Sequence, residues 1–370
     1  MLLIYLGASV VAAFGLAVGL AVTGASPAAA AHAAFALGAM PLIFAAMGHF
    51  VPVLTRSGAA EKGVHFLPLA LQLAGVLVVA ALAGALPGWS LHLAASVGIA
   101  AALGFLAWQW RRGRAALGRP HPGLAWYKAA LGCLAVALVA ILAGLLWPGA
   151  YPVLRLAHLH LNTLGFIGLT AVGTLHVLMP TALGQPDPQA AVRLRRQLPW
   201  AIGGVAASAA AGFVPLLAVA GGLAIGGVLI HTLHGWWRTY GLARLLGDGA
   251  AVALSGATCG LLLVIGAGAL HGMGGMLARP AIVGFFALFL LPLVTGALSQ
   301  LLPVWRYPGP LTPRRTAMRA RLVRLGGLRT VLFLAGGGLL LGGVAAGAAL
   351  LAAGTALFVG VLVHALVQRA

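Results

Sequence analysis

Apolar runs of about 18 residues or more, the length at which a helix can cross a bilayer, follow one another along nearly the whole chain, broken by Gly, Pro and clusters of Arg. A chain built this way has few options, because in hydrocarbon every backbone polar group must be satisfied within the protein. The runs predict twelve transmembrane helices near 2–24, 31–55, 63–86, 89–110, 125–147, 153–183, 197–219, 221–245, 251–275, 280–305, 324–350 and 353–368. Composition agrees: 7% of residues are charged and 62% hydrophobic, against about 25% charged in a soluble globule. The expected fold class is an all-α polytopic membrane protein in one transmembrane domain, with the lipid bilayer as its first partner.

The net charge of +19 would suggest nucleic acid in a soluble protein, but here the basic residues sit in short connections between apolar spans. With lysines and arginines held on the cytoplasmic side, 20 of the 22 basic residues agree with cytoplasmic N- and C-termini, Arg369 among them; only Arg155 and Arg279 fall on the other side. The expected location is a bacterial inner membrane. The segment RYPGPLTPRRTAMRARLVR is Arg-rich and partly helical, has no aromatic platform beside it and reads as a connection held on anionic lipid, so no nucleic-acid partner is expected. The first run starts at Leu2 with no basic region before it, which favours a retained helix over a cleaved leader. Cys133 and Cys259 lie in separate apolar runs without a CxxC spacing and read as small core residues.

One run differs from the rest. Residues 151–184, with the core HLHLNTLGFIGLTAVGTLHVLMPTALG, carry His158, His160, Asn162, Thr163, Thr170, Thr174 and His176. Polar groups on a span should face protein, cofactor or water rather than lipid, so this is an inner helix. Its end also recurs: MGHFVPVLTRSG in the second helix, GTLHVLMPTALG in the sixth and GALSQLLPVWRYPG in the tenth place a Pro (Pro52, Pro180, Pro303) three or four residues after His49, His176 or Ser299. The spacing predicts three parallel four-helix units, at about 1–122, 123–249 and 250–370. An inverted-repeat transporter design is disfavoured.

Twelve His and three acids, Glu61, Asp187 and Asp248, make imidazole the only abundant metal-type ligand. By helix direction, His32, His92, His158, His160 and His271 belong to the outer side, His49, His65 and His176 to the inner side, and His231 and His234 to mid-membrane on one helical face. The outer group is the sharpest, since His32 aligns with the 158/160 pair under the repeat. Two such rings across a gap could supply both axial ligands of a haem. Residues two apart point roughly 160° away from each other on a helix, so His158 and His160 do not readily share one iron. Arg155, one turn outside His158, is either a haem-propionate partner or a snorkelling interfacial residue. His231 with His234, and His49 with His65 and His176, are candidate metal groups or else packing and interfacial residues. His271 with Met273 and Met276 is a candidate for soft copper or ordinary packing. His121 and His364 read as structural.

These features resemble the catalytic-subunit superfamily of haem–copper oxidases and nitric oxide reductases. The likeness rests on twelve helices, cytoplasmic termini, three four-helix arcs, an outer-side His early in helix 2 and a His-x-His on an inner helix. The HAAFALG segment and the Gly- and Pro-punctuated helix after it are similar to the first conserved helix of the short NnrS-like relatives tied to nitric oxide stress. The resemblance implies the scaffold, a haem or copper cofactor, a redox partner or a haem or metal donor, and a role in nitric oxide or oxygen respiratory metabolism. The pattern also departs: the His-x-His is on helix 6 rather than helix 10, 197–219 contains no His, and no carboxylate lies within a span. A copper or haem carrier or chaperone, using the outer, middle and inner His as a path, is the alternative from a different class.

Overall fold

A computed structural model describes residues 2–274 and 278–367, the second stretch with side chains from 281 onward. Among the described residues the chain is all helical, and eleven helices are long and apolar enough to cross a membrane. It is a polytopic membrane protein. The helices are α1 Leu2–Val22, α2 Pro27–Thr55, α3 Phe66–Leu82, α4 Trp89–Arg114, α5 Gly123–Leu146, α6 Pro148–Leu183, α7 Ala190–Ala209, α8 Leu216–Tyr240, α9 Gly249–Gly272, α10 Ala281–Arg306, α11 Gly326–Leu341 and α12 Gly347–Val367. Met276 and Arg369 lie outside the described residues.

The helix expected over 197–219 is where observation and expectation part. Instead of one apolar span there, α7 starts seven residues earlier, carries Arg193, Arg195 and Arg196 in its first two turns, and ends in a 3-10 turn at Ala210–Gly212. With arginines in its first turns and its end at Ala209, the helix has too short an apolar part, so α7 is not among the eleven. The basic segment after α10 is partly helical, as expected. Thr312 caps a helix over Pro313–Val323, its side chain accepting from Arg315 N, and this runs through a two-residue turn into α11, the two together making one of the eleven membrane-length spans, Pro313–Leu341.

The helices form two compact units, one of Met1–Thr174 with Leu194–Leu217 and the other of Leu175–Arg193 with Ala218–Ala370. In α2, α6 and α10 the share of the apolar stretch that is buried is 67%, 72% and 67%; α9 reaches 67%, while the other seven spans lie between 22% and 39%. These three inner helices share a second feature. Each changes from α- to π-helix, at Ala33–Ala39, Leu161–Gly168 and Phe285–Leu290, the segment ending twelve or thirteen residues before Pro52, Pro180 and Pro303. Each π segment packs on the helix that precedes it in the chain: α1, α5 and α9 respectively.

Close approach at these seams depends on small residues, as expected where van der Waals contact drives association. A Cβ on Gly165 would sit 2.7 Å from Cβ of Cys133 on α5, and one on Gly260 would sit 1.9 Å from the Leu288 carbonyl oxygen in the π segment of α10. Cys133 is therefore a packing residue. Cys259, by contrast, is exposed, and the core position expected for it is not found, because Gly260 rather than its neighbour turns toward α10.

The three acids are each tied to an arginine: Glu61 to Arg112, Asp187 to Arg193 and Asp248 to Arg319. Arg329, expected among the basic connections, is instead 1% exposed inside α11. Its Nη2 donates to the Leu322 carbonyl and Ser299 Oγ, and its guanidinium lies 5.1 Å from the Phe358 ring centre.

Candidate functional site

The polar residues of the 151–184 run turn inward: Asn162, Thr163, Thr170 and His176 are 7%, 8%, 5% and 1% exposed. Where α6 changes to π-helix the regular i−4 ladder is interrupted, a device that recurs at functional sites, and side chains take up its carbonyls. Asn162 Nδ2 donates to the His158 carbonyl at 2.7 Å and Thr163 Oγ1 to the Leu159 carbonyl at 2.8 Å. His160 and His32 occupy the same register, each being the last residue before a π segment.

The ring that meets His32 is nevertheless His158. Their centres are 6.2 Å apart with 20° between the planes. His32 Nδ1 donates to the Ala28 carbonyl at 2.7 Å and His158 Nδ1 to the Ala137 carbonyl, on α5, at 3.0 Å. A carbonyl oxygen only accepts, which assigns the proton to Nδ1 in both rings and makes each Nε2 an acceptor, that of His158 lying 3.4 Å from the Asn162 amide nitrogen. That is the tautomer a metal-ligating imidazole adopts, with the second nitrogen anchored to a backbone acceptor.

Asn162 completes the site from within the π segment. Its Nδ2 lies 3.2 and 3.4 Å from the two His158 ring nitrogens, while its buried Oδ1 has no hydrogen-bond partner. A buried acceptor left open beside paired imidazoles marks a place where a donor-bearing ligand or water belongs. Arg155 is exposed, and its charge acts on both rings.

The chain matches no family model, no curated protein and no solved structure.

The remaining candidates are dispersed. Among the described residues, no three His, Cys, Asp or Glu side chains come together as a group able to hold a metal ion. His49 is half-buried with its ring edge-on to Phe50 at 5.4 Å, His65 is exposed at the end of the turn Lys62–His65, and His176 is buried with its ring 6.1 Å from that of Trp236. His231 and His234 are exposed on α8, His234 lying edge-on to Trp237 at 5.9 Å. His271 and Met273 are exposed at the end of α9, His364 is exposed on α12, and His92 is half-buried on α4.

The carbonyls of Ala28 and Ala137 are site components that no sequence signal announces, since any residue supplies one. Asn162 had a signal: it follows His158 by four residues and so shares its helical face.

Proposed function

We propose that the protein is an oxidase-like haem-binding protein of the bacterial inner membrane, with both termini cytoplasmic, serving nitric oxide or oxygen respiratory metabolism. The observation that carries this reading is the His32–His158 pair, with each Nδ1 proton given to a backbone carbonyl. Resemblance in the residues supplies the oxidase-like part.

In this reading Nε2 of His32 and of His158 would hold the iron, and Arg155 would pair with a propionate at the membrane edge. Ala28 and Ala137 keep the rings from rotating and hold the ligating tautomer, and Asn162 offers Oδ1 to a donor at the iron's side. Bound haem would supply one-electron transfer when both imidazoles ligate and a nitric oxide position when only one does.

The test is an absorption spectrum with metal analysis of the purified protein and three variants. The reading expects a Soret band that is lost or strongly reduced in His32→Ala and His158→Ala and kept in His160→Ala. Copper at the same pair without a Soret band would favour the carrier alternative. A protein with neither group, or a Soret band indifferent to both substitutions, overturns the proposal.

A further inference from the structure

Away from the imidazole pair, in the unit that contains Ala218–Ala370 and Leu175–Arg193, three hydrogen-bond donors are buried with nothing to donate to. Trp236 is 0% exposed, Tyr240 6% and Arg193 7%. The indole Nε1, the phenol oxygen and the guanidinium Nε are each without a partner. Buried polar groups are nearly always paired, so three unpaired donors on and beside α8 call for an explanation.

They sit there for definite reasons. Trp236 and Tyr240 are four residues apart on α8 and so share a face. Just before Trp236 in sequence, Gly235 has no side chain, and the space a Cβ would need is taken by the Arg193 guanidinium, whose Cζ, Nε and Nη1 lie 3.0 Å from that position. Arg193 is fixed by its ion pair with Asp187, and Asp187 Oδ1 in turn accepts from Gln189 N at 3.0 Å. The charges of Asp187 and Arg193 both act on the Tyr240 hydroxyl. The His176 ring closes the Trp236 side with its centre 6.1 Å away.

We propose that Trp236, Tyr240 and Arg193 are the donor set of a binding site for a small oxyanion such as a carboxylate. The chemistry is one-sided. An indole N–H and a guanidinium N–H can only donate, a phenol O–H donates readily, and the one carboxylate in the cluster is already engaged by Arg193 and a backbone N–H. A ligand that fits must bring acceptors and no donors, and a carboxylate offers about four lone-pair sites on two oxygens. Hydrogen bonds to such a charged acceptor are also roughly twice as strong as neutral ones. Asp187 orients the guanidinium without filling its Nε.

Formate is the probe. Its binding to the purified full-length protein in detergent would be followed by calorimetry and by the ligand-dependent rise in unfolding temperature, for wild type, Trp236→Phe and Tyr240→Phe. Tyr240→Phe removes one polar atom and keeps the ring, so without formate it should melt at or above the wild-type temperature, whereas Trp236→Phe also empties part of a fully buried site and should melt lower. The proposal expects saturable formate binding by wild type and an affinity about 10- to 100-fold weaker in each variant. Absence of saturable binding in wild type, or equal affinity in all three proteins, overturns it. Its residues are not those of the imidazole pair, so neither outcome bears on haem.

Discussion

The imidazoles of His32 and His158 come from helices more than 120 residues apart in sequence, yet lie with ring centres 6.2 Å apart and planes 20° from parallel. Neither ring is free to choose its tautomer, because a carbonyl holds each Nδ1 proton. A pair so constrained offers two lone pairs rather than one donor and one acceptor, which would have made a plain helix-packing hydrogen bond.

If Asn162 supports a ligand at this pair, Asn162→Ala should leave the helix folded and loosen the bound group. Partners of a metal ligand typically contribute 10–100-fold in affinity. Haem or metal retention during dialysis against a competing acceptor protein would show the loss, and unchanged retention would restrict Asn162 to closing the ladder at the π junction.

Gly260→Ala should destabilise the protein strongly. Its Cβ would lie 1.9 Å from the Leu288 carbonyl oxygen, which is backbone and cannot rotate away, whereas a Cβ on Gly266 of the same helix meets nothing within 4 Å. Forced shifts of this kind cost about 1–3 kcal/mol or more. Thermal unfolding in detergent should put Gly260→Ala well below wild type and Gly266→Ala level with it.

Arg319 joins three partners: Gln300 Oε1, the Ala182 carbonyl at 2.8 Å and Asp248 Oδ2 at 2.8 Å. Asp248 in turn caps α9 by accepting from Ala250 N and Ala251 N. Arg319→Ala strands a half-buried carboxylate and two acceptors and is expected to cost about 2–4 kcal/mol. Asp248→Asn keeps the cap and should cost less than Asp248→Ala, which loses cap and ion pair together. Unfolding midpoints of the three variants decide the order.

His121 lies between α4 and α5, outside the spans, where burial, followed by the nearby charge of Arg195, holds its ring below the usual 6.5. Its Nδ1 accepts from Gly123 N at 3.2 Å, a bond that protonation would break. Because the folded form is the weaker base, the unfolded chain takes up the proton first as pH falls through 6.5, and stability drops with it. Stability is complete above that pH and declines below it until the folded ring also protonates. His121→Gln should flatten this part of the stability–pH curve, and an unchanged slope would refute the assignment.

The unequal legibility of these features has a physical cause. Hydropathy and length are properties of a single segment, so the sequence alone established an all-helical membrane chain, the ends of most spans and the inner character of 151–184, whose polar side chains would be costly in lipid. Helical rise also put His32, His158 and His160 near one depth. Which of the two nearby rings turns to His32 was left to the fold, because the answer depends on side-chain direction at the α-to-π change in α6 and on a carbonyl from α5. The same holds for α7, where a 3-10 turn at Ala210–Gly212 ends an apolar run that length alone extends to 219, and for Arg329, which lies buried against Phe358 rather than among the surface cations. Depth and polarity are written into each segment, but orientation and partner choice exist only once helices distant in sequence are packed together.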